Sequence, residues 1–263
     1  MARQTGKLDR GDGVELAWAA RGGDGPTVVF LPGLFGGMSG EIPRALEKYC
    51  DTHGLAYLSL DYSGHGGSDG NFADGSIGLW LNDALCVIDR LSAGKLLLVG
   101  HSMGGWIATL AALARKPRIA GLVGVAAAAD FTETLIWQRL TPQQRAALER
   151  EGALDIPNHG GGGHEHGHTP PRVTRHLIEE GRQHLILNRP IDLAMPVRLL
   201  HGRSDGNVPL QASLLLAQAI RGEDVQVTIV KDGNHLMARP SDLDLLCRTV
   251  ESLLHPLLLQ NAA

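Results

Sequence analysis

Apolar and polar positions along the 263-residue chain follow two alternating patterns. Thr27-Val28-Val29-Phe30-Leu31 is β-branched and apolar without polar alternation, as a strand covered on both faces must be. Leu55 to Leu60, Lys95 to Val99, Ile119 to Val125, Val197 to Leu200 and Val225 to Val230 are further runs read as strands. Helical spacing fills several gaps between them: Leu79 to Leu91, Met103 to Arg115 stopping before Pro117, Leu210 to Ile220, and Ser241 to Leu254. Strands alternating with helices predict right-handed βαβ units and a mostly parallel central sheet with helices on both faces. Ahead of them, Val14 to Ala20 follows the turn cluster Asp9-Arg10-Gly11-Asp12-Gly13, so the N-terminus is predicted to form antiparallel strands.

The alternation breaks between residues 130 and 190, which carry helical patterns and no good strand. Thr141-Pro142-Gln143-Gln144 predicts a helix start, with threonine as cap, proline in the first turn and Gln144 closing a capping box. Helical patterning resumes near Thr174 and runs to Leu187. The expected organisation is an α/β core of residues 1–129 and 191–263, with a helical cap insertion over residues 130–190 lying over the edge of the sheet.

Composition narrows the picture. With 43% hydrophobic and 20% charged residues, a disordered or collagen-like chain is excluded. A net charge of −4 leaves no electrostatic footprint for nucleic acid. No apolar run approaches the ~18 residues that span a bilayer, and the longest, Ala120 to Ala129, is too short. The N-terminal residues show neither a signal-peptide run nor a transit peptide, so a cytoplasmic location is expected. Cys50, Cys86 and Cys247 have neither a disulfide nor a zinc spacing. The tract His159-Gly160-Gly161-Gly162-Gly163-His164-Glu165-His166-Gly167-His168 carries imidazoles suited to zinc, copper or nickel. Its glycines fix no ligand geometry, so a surface loop without a resident metal is expected.

Gly-x-Ser-x-Gly marks a nucleophile elbow only where it joins a strand to a helix. The pattern occurs at Gly66–Gly70, Gly202–Gly206 and Gly100–Gly104. Only Gly100-His101-Ser102-Met103-Gly104 follows a strand at once and opens directly into a helix. A turn that sharp strains the serine backbone and leaves no room for side chains at the flanking glycines. Ser102 is therefore the expected nucleophile. Asp205, just past the strand that ends near His201, is the expected acid, and His235, in the loop after Val230, the expected base. Asp232 precedes His235 too closely to reach its ring, His101 is expected to point away from the site, and His201 and Asp192 to pack and cap. Backbone N–H groups of Met103 and Leu34 are the expected oxyanion donors, Leu34 from the loop Phe30-Leu31-Pro32-Gly33-Leu34-Phe35-Gly36-Gly37. The loop from Asp61 to Gly70 is expected to be structural and near the oxyanion region, with His65 as a hydrogen-bonding residue. Phe131, Leu135, Ile136 and Trp137 are expected to line an acyl pocket, or else simply to pack the insertion.

The stretches Phe30-Leu31-Pro32-Gly33, Asp61-Tyr62-Ser63-Gly64, Ser68-Asp69-Gly70, Gly104-Gly105-Trp106, Val123-Gly124-Val125-Ala126 followed by Ala129-Asp130, and Arg198-Leu199-Leu200-His201-Gly202 resemble the α/β-hydrolases. The narrower likeness is to the subfamily of the mycophenolic acid acyl-glucuronide esterase and palmitoyl-protein thioesterase. It implies the α/β-hydrolase fold, hydrolysis of small acyl esters or thioesters (S-acylated proteins among them), no cofactor, and Ser102, Asp205 and His235 as nucleophile, acid and base. Alternatives on the same triad are a C–C bond hydrolase and an acyltransferase. A third is a non-catalytic small-molecule-binding protein of this fold.

Overall fold

The computed structural model describes residues 2–155 and 172–261. Along the chain run β1 (Arg3–Asp9), β2 (Glu15–Arg21), β3 (Asp24–Leu31), α1 (Glu41–Thr52), β4 (Leu55–Leu60), α2 (Ile77–Leu91), β5 (Leu96–His101), α3 (Met103–Ala114) and β6 (Ile119–Val125). They are followed by α4 (Pro142–Glu151), β7 (Ala153–Asp155), β8 (Arg172–Thr174), α5 (Arg175–Gly181), β9 (Val197–Gly202), α6 (Leu210–Ala219), β10 (Val225–Val230) and α7 (Pro240–Asn261).

Among the described residues, eight strands form one sheet in the order β1-β2-β4-β3-β5-β6-β9-β10. The β1–β2 and β2–β4 pairs are antiparallel. Every later pair is parallel. The central strands are apolar on both faces because helices cover both. Val29, Leu31, Leu96, Leu98 and Leu199 face a core with Trp80, Trp106, Ile107 and Leu216, from α2, α3 and α6. Val28, Phe30, Leu97, Val99 and Val123 face a second core with Leu46, Cys50, Val250 and Leu254, from α1 and α7. Burying one such aliphatic side chain contributes about 1.5–3 kcal/mol, so both layers hold the sheet.

Parallel strands in register bring their carboxyl ends to one rim. Leu31 pairs with Gly100, His101 with Val125, and Val230 with Gly202. The loops after β3, β5, β9 and β10 therefore open side by side.

The described residues between 130 and 190 differ from the expectation in one respect. They contain a two-stranded ribbon, β7–β8, where no strand was expected. They pack on the first turns of α2 and α3, which open from the carboxyl rim of the sheet. Trp106 Nε1–H of α3 donates to the His184 carbonyl at 3.2 Å. The Gly78 N–H of α2 donates to both Glu180 carboxylate oxygens at 3.1 Å. The expected capping box is present, with the Gln144 N–H donating to Thr141 Oγ1 and the Thr141 N–H to Gln144 Oε1. Among the described residues, no helix is long and apolar enough to cross a membrane. The histidine- and glycine-rich tract at 159–168 lies outside the described residues.

Candidate active site

Ser102 sits between β5 and α3 with φ 54° and ψ −120°, in the left-handed half of backbone space. That conformation costs of order 1–3 kcal/mol and persists only where surroundings enforce it. Here the Ser102 N–H donates to the Val125 carbonyl at 2.9 Å, and the Ser102 carbonyl accepts from Gly105 and Ala128. A side chain at Gly100 would stand 2.2 Å from the Gly104 carbonyl oxygen, and one at Gly104 would stand 2.0 Å from that of Leu31. Gly100 is therefore needed by the turn itself, and Gly104 by the close approach of the end of β3.

Asp205 lies in a turn after β9. Its Oδ1 accepts the N–H groups of Asn207 and Val208, both at 2.8 Å. This leaves Oδ2 free to take a bond from His235 Nδ1–H at 2.8 Å. The carboxylate is 1% exposed. Burial pushes its pKa up, but the bond and charge of His235, with the Val208 and Asn207 N–H groups, pull it below the ordinary carboxylate value. Because Nδ1 of His235 donates to Asp205, Nε2 is the accepting nitrogen, and it faces Ser102 Oγ at 3.1 Å. Serine, histidine and aspartate are thus brought into one hydrogen-bonded chain from sequence separations of 133 and 30 residues.

Gly33 places the loop after β3 against this chain, since a carbon added there would lie 3.1 Å from Ser102 Cβ. Neither the Leu34 nor the Met103 N–H has a hydrogen-bond partner among the described residues. Asp61 anchors the same loop, its Oδ1 accepting the Met38 N–H at 2.8 Å and its Oδ2 the Gly67 N–H at 2.9 Å. His65 is a loop ligand as expected, its ring bonded to the Ser63 carbonyl at 3.2 Å and its pKa lowered by burial.

Phe131 is buried edge-on against Trp106, with centroids 5.8 Å apart. Leu135 and Ile136 pack partly buried on the same core, within a π-helical turn at Thr132–Ile136. Trp137 has a different occupation. The guanidinium carbons of Arg145 and Arg182 each lie 4.8 Å from its ring centroid, so the ring packs within the insertion.

Sequence reasoning counted Ala129-Asp130 among the stretches of the resemblance but gave Asp130 no role. It is a buried residue at φ 57°, and its carboxylate accepts the Ile186 and Leu187 N–H groups at 2.9 Å. It thus ties the start of the insertion to its end, and burial raises its pKa. A polar residue directly after an apolar strand run was the available signal. His201 packs as expected but also bonds, through Nε2 to the Val208 carbonyl at 3.0 Å and through Nδ1 to Ser213 Oγ at 2.8 Å. Asp192 pairs with Lys116 on the surface. His101 does not point away from the site as expected: its ring lies 5.1 Å from that of His235, and its Nε2 is 2.9 Å from the His235 carbonyl oxygen, because the base loop after β10 folds back over the end of β5.

A serine in a strained turn, a histidine holding its accepting nitrogen toward it and a buried carboxylate behind define a site able to attack an acyl carbon. The family model of the α/β hydrolase fold matches residues 26–152. The chain is 36% identical over 250 residues to the mitochondrial palmitoyl-protein thioesterase ABHD10 of Mus musculus, covering 95% of this chain and 82% of that protein. The solved structure of mouse alpha/beta hydrolase domain-containing protein 10 superposes with a TM-score of 0.88 at 35% identity, covering 97% of this chain and 99% of that one. Est1E of Butyrivibrio proteoclasticus, solved with ferulic acid, shares the fold with a TM-score of 0.77 at 22% identity, over 98% of this chain and 100% of that one. The chain belongs to the α/β-hydrolase family, in the branch that holds these thioesterases.

Proposed function

We propose that the protein is a serine hydrolase of acyl esters and thioesters, with S-acylated cysteines of proteins among its substrates, acting in the cytoplasm. The observation that carries this reading is the bonded chain from Ser102 Oγ through the His235 ring to Asp205. His235 Nε2 takes the Ser102 proton as Oγ attacks the carbonyl carbon. The carbonyl electron pair moves to oxygen, which the unpartnered Leu34 and Met103 N–H groups receive, each worth about 3 kcal/mol at the transition state. The intermediate collapses, and the departing thiolate or alkoxide leaves with the proton from His235. Water then attacks the acyl-serine with the same histidine as base and releases the acid. Asp205 holds the ring with Nε2 free and stabilises the imidazolium.

Apolar substrate suits the surroundings. Phe35, next to Leu34, is 48% exposed and stacks on Phe72 at 4.7 Å. Leu236, next to His235, is 37% exposed. We read residues 130–190 as a cap, with Phe131, Leu135 and Ile136 as the acyl-side wall. The test is labelling by a fluorophosphonate probe, together with turnover of p-nitrophenyl esters and acyl-thioesters. Wild type is expected to label and turn over, and Ser102→Ala to do neither. Equal labelling of both would discard the assignment.

A further inference from the structure

We propose that His101 is a positioning residue that holds the nucleophile, the base loop and the oxyanion loop at fixed separation. It stands directly before Ser102 at the end of β5, its backbone fixed in the sheet opposite Val125. Its ring crosses to the base loop, where Nε2 lies 2.9 Å from the carbonyl oxygen of His235 itself, 134 residues away. A carbonyl only accepts, so Nε2 of His101 carries a proton and donates it. The other edge of the ring meets the oxyanion loop, since a carbon added at Gly33 would lie 3.2 Å from His101 Nδ1. One imidazole therefore bonds to the loop after β10 and faces the loop after β3 while being part of the residue that precedes the nucleophile.

The base loop needs such a tie. Between β10 and α7 it has no sheet partner to hold it. Its other bonds are internal, run to the acid loop, or are the His235–Ser102 bond itself: Asn234 Oδ1 accepts the Leu236 N–H at 3.1 Å, the Ser204 N–H donates to the Gly233 carbonyl at 2.9 Å, and Ser102 Oγ donates to His235 Nε2 at 3.1 Å. The His101 bond fixes the backbone of the base loop to β5, the strand that leads into Ser102. The ring also suits the reaction cycle. Burial, and then the nearby His235, hold the pKa of His101 at about 4. It stays neutral with its donor in place while His235, with ring centroids 5.1 Å apart, becomes an imidazolium.

The inference rests on the hydrolase reading for its kinetic consequence, and the bond itself can be tested without it. In the full-length chain, 15N-labelled wild type is expected to show His101 as the neutral Nε2–H tautomer from pH 9 down to about pH 5. An Nδ1–H tautomer, or a protonated ring over that range, overturns the proposal. Displacement of a catalytic group by about 1 Å costs of order 100-fold. His101→Leu, which keeps the bulk and removes the donor, is accordingly expected to lower kcat on p-nitrophenyl butyrate roughly 10- to 100-fold, with KM within about twofold. His101→Gln places an amide N–H at the depth of the imidazole Nε2 and is expected to restore kcat to within about fivefold of wild type. Leu and Gln variants of equal kcat, or a Leu variant with wild-type kcat, overturn the positioning role. Should Ser102→Ala hydrolyse the same ester as fast as wild type, the hydrolase reading fails, and the tautomer measurement still decides whether His101 ties the loops.

Discussion

Gly100–Gly104 and Gly202–Gly206 obey the same five-residue pattern and both follow a strand of the parallel sheet, yet only one presents a serine. At the first, the helix begins on the next residue and Ser102 is forced to a φ of 54°. At the second, Pro209 delays α6, and Ser204 keeps an ordinary negative φ, with Oγ donating only a long 3.4 Å bond to the Lys231 carbonyl. The glycines differ as well. Gly100 makes room for its own turn, whereas a side chain at Gly202 would stand 2.3 Å from the Gly233 carbonyl oxygen, in the base loop. The residue of the second turn that bonds to His235 is the aspartate after the serine. A short pattern thus specifies a tight backbone, and the element that follows decides which side chain the turn delivers.

The comparison can be broken most directly at the two serines and the acid. Ser102→Ala is expected to lower kcat by about 10⁴-fold or more, measured on p-nitrophenyl esters. Asp205→Asn is expected to cost up to about 10⁴-fold in kcat with the fold intact, because the amide favours the wrong tautomer of His235. A loss under tenfold would show that the second turn is not delivering the acid.

The glycines sharpen the contrast next. Gly104→Ala is expected to destabilise the chain by about 3 kcal/mol or more in denaturant titrations, since the new carbon would meet the Leu31 carbonyl oxygen at 2.0 Å inside the core. Gly202→Ala pushes instead on the base loop, so its activity is expected to fall further than its melting temperature would suggest. An equal fall in stability for the two would erase the distinction.

Acid is expected to act through the buried imidazoles. The folded state holds His101 neutral down to about pH 4, whereas the unfolded chain takes that proton near the ordinary value of 6.5. The unfolded state then binds more protons, so stability is full above pH 6.5, falls as pH drops towards 4, and levels off below. The His101 share is at most about 3 kcal/mol, and His201 and His65, also lowered by burial, add to the same slope. Melting curves from pH 7 to 4 for wild type and His101→Gln check this. Identical slopes would remove His101 from the account. The smallest expected effect is that of Ser204→Ala, within about 0.5 kcal/mol in stability and about twofold in kcat.

Most of the core was legible because its strands are continuous apolar runs. Leu55–Leu60 and Ile119–Val125 fall where the pattern placed them, and so does the edge strand Val225–Val230, although Gln226 and Thr228 interrupt its apolar run. Elements with weak local signals escaped. The α1 helix follows Gly40, which offers no side-chain cap, and Pro43 in its first turn reads locally as a breaker, although Ile42, Leu46 and Cys50 do bury one face. Each strand of the β7–β8 ribbon spans only three residues, too few to show a period. In the site, Ser102, Asp205 and His235 could be picked out because each follows a strand end. The bonds of His101 and Asp130 could not, since their partners lie 134 and 56 or 57 residues away.

The sequence by itself determined the alternation of strand and helix, and so the class of sheet and the rim at which its loops must open. Periodicity and glycine placement act within a few residues, and the chain alone carries them. Only the tertiary structure decided which loop touches which: that the ring beside the nucleophile grips the carbonyl of the base, that Gly202 yields space to a neighbouring loop, and that Trp137 packs against two arginines. Those outcomes depend on parallel register and on approaches of about 3 Å between distant segments, and no local pattern encodes such distances.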